Sequence, residues 1–137
     1  MAEEVTKIQP RPTAASQAYW DGCAKGELKV QYCDACSNYQ FYPRVVCSTC
    51  GSTDLEWRQV SGRGSIASYT VVRRGVSKAY EGPYVVALID LEEGVRMMSH
   101  LELADPDDPK LQVGASVRVA FRAWSDDITV PVFQFEG

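Results

Sequence analysis

The chain has 137 residues, enough for one ordinary domain or two very small ones, and its 45% apolar and 23% charged content excludes wholesale disorder. No apolar run approaches the roughly 20 residues that cross a bilayer, and the longest, Tyr84–Ile89, is strand-sized. A formal charge of −4 repels a phosphate backbone, so a nucleic-acid site would need a local basic patch.

Residues 1–12 are polar and contain Pro10 and Pro12, which reads as an extended arm. Met1-Ala2-Glu3-Glu4-Val5 has no basic segment leading into an apolar one, so no secretory signal is read and a cytoplasmic location is expected. Thr13 is placed to cap a helix over about 14–25, with Gly26 as its stop. Ala15, Tyr19 and Cys23 recur at helical spacing along one narrow apolar face. A helix this short does not hold itself together in water, so it must dock on its own domain or on a partner.

Leu28-Lys29-Val30-Gln31-Tyr32 alternates as a strand leading into Cys33, and Phe41-Tyr42 and the run into Cys47 repeat the arrangement. Each cysteine pair is therefore expected at a turn between short strands. Cys33-Asp34-Ala35-Cys36 and Cys47-Ser48-Thr49-Cys50 each put two sulfurs on one tight knuckle, and ten residues separate the pairs. That spacing lets a hairpin return and close a tetrahedron of thiolates around one Zn²⁺, with no coordination position left open for catalysis. A ribbon of about 30 residues buries too little apolar surface to fold alone, and metal binding supplies the missing free energy. A dithiol redox pair and a set of unmetallated core cysteines are the bland readings. Iron in a rubredoxin-like Cys₄ site satisfies the same ligands.

From Trp57 onward the pattern is all β. Ser65–Val72, Tyr84–Leu91, Val95–Leu101, the stretch carrying Val117, Val119 and Phe121, and Ile128–Phe135 read as five strands. Glu92-Glu93-Gly94 is a hairpin turn, and Asp105-Pro106-Asp107-Asp108-Pro109 separates the third strand from the fourth. The expected fold is mainly β: an N-terminal helix (1–26), a rubredoxin-like zinc ribbon (27–56) and a five-stranded barrel of the OB type (57–137).

The remaining candidates are weaker. Cys23 is a free thiol without a nearby His in sequence and reads as a small buried hydrophobe rather than a nucleophile. His100 is the only histidine; on a strand it shares a face with Met98 and Arg96, while Ser99 points to the other face. Gly62-Arg63-Gly64 reads as a bend into the first barrel strand, since a phosphate loop would need a lysine and a following helix. Glu92-Glu93 and Asp126-Asp127 read as solvated turns. Arg73, Arg74 and Lys78 lie in a glycine-bearing loop, where they are either solvated or placed for a phosphate group. No set of residues makes a convincing active site.

The order of parts is Tyr19-Trp20-Asp21-Gly22, Gly26-Glu27-Leu28, the paired cysteines with Pro43-Arg44 between them, Leu55-Glu56-Trp57 and Ser61-Gly62-Arg63-Gly64. It continues with Tyr69-Thr70-Val71-Val72, Pro83-Tyr84-Val85-Val86-Ala87-Leu88, Leu91-Glu92-Glu93-Gly94, Asp105-Pro106-Asp107-Asp108 and Val113-Gly114. From about Ala14 onward this resembles the zinc-ribbon/OB-fold family of acyl-CoA-associated proteins, domain-of-unknown-function family thirty-five. Ser37 departs from the glycine that members often carry after the second cysteine.

The resemblance implies a small non-catalytic subunit that accompanies a thiolase, aldolase or acyltransferase large subunit in a hetero-oligomer, with the larger partner carrying the catalytic residues. Acyl-CoA is then a ligand of the complex, its phosphates met by Arg73, Arg74 and Lys78. Tyr39, Phe41 and Tyr42 are the candidate interface anchors, since aromatics dominate such contacts; packing of the ribbon on the barrel is their alternative role. The rival reading is a module for single-stranded nucleic acid, a use to which both ribbons and OB barrels are put. The acidic balance and the lack of a basic stripe along the barrel strands oppose it.

Overall fold

The computed structural model describes residues 9–75 and 83–136. Thr13 and Ser16 cap one another before the helix begins: the Thr13 N–H donates to Ser16 Oγ (2.9 Å) and the Ser16 N–H to Thr13 Oγ1 (3.2 Å). This closes a separate turn, so helix α1 runs only over Gln17–Ala24, three residues later than the expected start. Its end is a Schellman motif. Glu27 N–H bonds the Gly22 carbonyl (2.8 Å), Gly26 N–H bonds that of Cys23 (3.1 Å), and Gly26 takes the left-handed φ of 75° that the motif requires.

Three short antiparallel strands follow: β1 (Lys29–Cys33), β2 (Asn38–Gln40) and β3 (Leu55–Gln59), in the order β2-β1-β3. The first cysteine pair sits at the β1–β2 turn, as expected. The second does not sit between strands, because β2 ends at Gln40 and residues 41–54 are irregular. Pro43 has no N–H to give to a ladder, and side chains of the neighbouring strands bond this segment instead. Strand β3 pairs with β1 from Lys29↔Gln59 to Cys33↔Leu55, so it lies in the ribbon's sheet and straddles the expected 56/57 division.

The rest is a closed barrel of β4 (Arg63–Val72), β5 (Tyr84–Leu91), β6 (Arg96–Leu101), β7 (Ser116–Ala123) and β8 (Thr129–Phe135), ordered β4-β5-β6-β8-β7 and back to β4. This is the OB arrangement. β4 reaches both neighbours by its length and by a register shift between Ile66 and Ser68, which bends it around the barrel. Closure falls at a brief parallel contact, Leu101↔Phe133, reinforced by Glu102 N–H to the Phe133 carbonyl (2.7 Å). Gly62, with φ 78°, turns the chain into β4, and a Cβ there would overlap the side chain of Val119. The Gly62-Arg63-Gly64 stretch is thus the expected bend.

The core is continuous from α1 (Tyr19, Cys23) through Leu28 and Val30 to Ile66, Val85, Ile89, Leu101, Val117 and Phe133 in the barrel. α1 packs on β8, β1 and β7. The apolar face of the helix is therefore consumed within the chain.

Candidate metal centre

Local backbone geometry builds the two knuckles alike. Ser37 N–H bonds the Cys33 carbonyl (2.8 Å) and Gly51 N–H bonds that of Cys47 (2.9 Å). The residue after each second cysteine is left-handed, Ser37 at φ 60° and Gly51 at φ 77°. The first knuckle is tied across the ribbon to the segment just after the second by Asp34 N–H to the Asp54 carbonyl (3.0 Å).

This brings Cys33, Cys36, Cys47 and Cys50 together, with all four sulfurs within 4.8 Å of one another. The Cys33–Cys50 and Cys36–Cys47 sulfurs are each 3.6 Å apart. Four thiolates about 2.3 Å from a tetrahedral zinc stand about 3.8 Å from each other, so the set fits that ion. The chemistry of the donors agrees. Backbone N–H groups of Cys50 and Thr49 bring the Cys47 thiol down to about 6, with Thr49 N–H at 3.3 Å from its sulfur. Burial pushes the Cys33 thiol up. Cys50 is held at about 12 although Ser52 N–H favours its thiolate, because desolvation and the three other sulfurs oppose a further negative charge. A cation at the centre removes that opposition. Cys33 and Cys47 are buried while Cys50 is exposed, so the metal position lies just under the surface.

Two residues that sequence reasoning does not single out complete the centre. Gln31 on β1 and Gln40 on β2 are register partners, both buried, and their amides meet: Gln40 Nε2 donates to Gln31 Oε1 (2.7 Å). Gln31 Oε1 also accepts from Arg44 N–H and Gln31 Nε2 donates to the Arg44 carbonyl, both at 2.9 Å. Gln40 Oε1 accepts from Ser48 N–H (2.9 Å), and its Nε2 also reaches the Val46 carbonyl (3.4 Å). In an alternating strand Gln31 reads as solvent-facing, so only the lack of a strand partner for residues 43–48 could signal it.

The same segment forms an apolar crest. Tyr42 is 63% exposed and Val45 78%, with Val46 beside them. Tyr39 and Phe41 do not share that exposure: both are half-buried against the core, Tyr39 edge-on to Tyr32 (4.9 Å) and Phe41 edge-on to Tyr19 (5.8 Å). Phe41 and Tyr42, with Tyr19, Trp20 and Met98, line a shallow groove of about 310 Å³. Val45, Val46 and outward-facing Met98 are not marked out by the sequence reading. Adjacent valines in a proline-bearing segment are the available sign.

The other candidates are dispersed. Arg73 pairs with Asp107 (2.9 Å), Arg74 is exposed, and Lys78 lies outside the described residues. His100 stacks on Tyr84 at 5.5 Å on the outside of the barrel, whereas Ser99 faces inward and donates to the His100 carbonyl (3.2 Å). Cys23 is buried behind α1, where burial pushes its thiol up to about 11.

Two family models match consecutive parts of the chain: the ChsH2 rubredoxin-like zinc ribbon domain over residues 20–56 and the ChsH2 C-terminal OB-fold domain over residues 57–122. A "DUF35 domain-containing scaffold protein" of Methanothermobacter thermautotrophicus is 37% identical over 66% of this chain and 68% of its own length. A "probable enoyl-CoA hydratase alpha subunit" of Thermomonospora curvata is 35% identical over 93% of this chain but only 40% of its own length, so the chain spans well under half of that relative. Among solved structures, Ltp2-ChsH2(DUF35) aldolase matches with a TM-score of 0.83 and 30% identity, over 93% of this chain and 98% of the matched one. No described helix is long and apolar enough to cross a membrane.

Proposed function

Since the chain belongs to the ChsH2/DUF35 family, in which a rubredoxin-like zinc ribbon precedes an OB-fold domain, we propose that it is an accessory subunit of a thiolase-type enzyme that forms or breaks C–C bonds in acyl-CoA substrates. The observation that carries this reading is the likeness to nearly the whole of one chain of Ltp2-ChsH2(DUF35) aldolase. The chemistry belongs to a larger subunit, and this chain docks on it and orders the surroundings of its acyl site. One structural zinc, held by Cys33, Cys36, Cys47 and Cys50, keeps the ribbon folded.

Tyr42, Val45 and Val46 form the docking crest, with Met98 at its edge. Apolar side chains held on an ordered backbone bring area to an interface at little further entropy cost. Phe41 supports the crest through its edge-on contact with Tyr42 (5.3 Å), while Tyr39 packs on Tyr32. Arg73 and Arg74, just beyond the end of β4, meet the CoA phosphates, and Lys78, outside the described residues, is the third basic group expected there. The Arg73–Asp107 pair is exposed on both sides, so a phosphate can displace the carboxylate at small cost.

The test is reconstitution. The tagged chain, isolated from its native cells, is expected to bring down a stoichiometric polypeptide with thiolase-type catalytic cysteine and histidine. The pair should turn over an acyl-CoA at its C–C bond and the pure chain should not. C–C cleavage by the pure chain would overturn the proposal.

A further inference from the structure

Residues 41–48 present their backbone to the interior of the ribbon without a strand to pair with. Cys47 bonds the backbone of Ser52 and Gly51, and four further polar groups are met by two side chains instead of a ladder. Gln31 takes both the N–H and the carbonyl of Arg44; Gln40 takes the N–H of Ser48 and the carbonyl of Val46. The two amides are joined to each other by the 2.7 Å bond. Ser48 lies inside the second knuckle, between Cys47 and the residue whose N–H bonds the Cys47 sulfur. Arg44 and Val46 flank Val45 on the crest.

The same face of the hairpin serves the metal. Residues two apart on a strand share a face, so β1 offers Gln31 and Cys33 together. β2 likewise offers Gln40 together with Asn38, whose Nδ2 reaches the Cys36 sulfur at 3.4 Å. The amide–amide bond is buried and both glutamines are buried, so losing a partner strands a polar group with little access to water.

We infer that Gln31 and Gln40 act as one positioning unit that couples closure of the Cys47–Cys50 knuckle around its metal to the presentation of Tyr42, Val45 and Val46. The inference rests on the zinc reading above. Loss of the metal frees the second knuckle, breaks the Ser48 bond and strands the Gln40 amide. The strain passes through the amide–amide bond to Gln31 and so to Arg44, three residues outside the knuckle. The crest is then ordered only when the ribbon is metallated, so an unmetallated chain presents no docking surface.

The experiment uses the full chain with zinc bound, and reads zinc release to a colorimetric chelator together with exchange of the Arg44 and Ser48 amide protons by NMR. Stripping zinc from the wild type is expected to raise exchange at Arg44 as well as at Ser48. Gln31→Leu touches neither cysteine nor Ser48, yet it is expected to release zinc about tenfold faster, as removal of a partner behind a metal site does. Gln31→Glu keeps the oxygen that accepts from Arg44 and Gln40 but sets a buried carboxylate oxygen, an acceptor, against the Arg44 carbonyl, so the bond there is lost and repulsion replaces it. Its zinc release should also exceed the wild-type rate, and it carries the test if Gln31→Leu fails to fold.

Zinc release at the wild-type rate from both variants, or an Arg44 amide that stays protected after zinc is stripped, would overturn the coupling while leaving the zinc reading intact. A wild-type chain that takes up no zinc would overturn the zinc reading and the coupling with it.

Discussion

Gly51→Ala isolates the conformational demand of a metal knuckle. Gly51 sits at φ 77°, and a Cβ built there meets nothing within 4 Å. The substitution therefore adds no clash, and its whole effect is backbone. Holding an L-residue in the left-handed region costs about 1–2 kcal/mol, while removing glycine's freedom from the unfolded chain returns about 0.4–1 kcal/mol. The net loss is about 1 kcal/mol, a factor of about five in an equilibrium constant. Because the ribbon folds with its metal, that factor should appear in zinc affinity, with a fall of about 3–5 °C in melting temperature. A competition titration against a chelator of known affinity, paired with thermal melting of the zinc-loaded chain, measures both. The other knuckle supplies the mirror experiment. Ser37 already carries the cost at φ 60°, so Ser37→Gly should tighten zinc by up to the same factor. Unchanged affinity and melting in Gly51→Ala, or weaker binding in Ser37→Gly, would refute the argument that left-handed geometry at these two positions sets the knuckles.

Gly62→Ala adds to the same backbone cost an overlap with Val119, so it should destabilise the chain by about 3 kcal/mol in denaturant titration. Val119→Ala in the same chain should recover the steric part and leave the conformational part, which a double-mutant cycle resolves. Cys23, held near 11 by burial, is expected to resist alkylation at pH 8 in the folded zinc-loaded chain and to react once denaturant is added. Its folded form holds the proton more tightly than the unfolded thiol, whose usual value is 9.0, so the stabilisation is complete below about 9 and is lost as pH climbs toward about 11. Cys23→Ala should flatten that part of the stability profile. Tyr42→Ala combined with Val45→Ser removes crest surface that touches little of the chain itself. It should weaken binding to the proposed catalytic subunit by about tenfold or more in calorimetry, while shifting stability by less than about 0.5 kcal/mol.

Much of this architecture is legible in the amino-acid sequence. The barrel strands are readable where one face lies in the core and the other outside: β6 alternates outward Arg96, Met98 and His100 with inward Met97, Ser99 and Leu101. Periodicity of two is a strong local signal, and the four cysteines carry theirs in spacing alone. The helix starts later than its pattern suggests for a local reason. Thr13 does cap a turn, but Ser16 caps it back and the α-helix begins only beyond Ser16. Phe41-Tyr42 reads as a strand because its residues are aromatic, yet Pro43 and the two glutamines divert the backbone. Gln31 and Gln40 give no sign in the sequence because their importance lies in groups 6–13 residues away along the chain. A long-range side-chain-to-backbone bond leaves no period in a sequence. Tyr39 and Phe41 show the converse. Aromatic character marks them as anchors, but which aromatic faces water depends on how ribbon, helix and barrel stack.

The placement of polar groups inside the ribbon also bears on why the crest sits where it does. The barrel closes on itself, and α1 packs its apolar face on β8, β1 and β7. The ribbon is too small to hide its apolar side chains in the same way. A metal and two amides can hold 14 irregular residues, from 41 to 54, without requiring their side chains to turn inward. That frees Tyr42, Val45 and Val46 to point outward on a backbone that is nonetheless fixed. A hydrophobic core could not do this, because it would fix the segment by burying the very side chains a partner needs. Polar and metal fixation instead orders the backbone and leaves the apolar surface exposed, which is the combination a docking subunit requires.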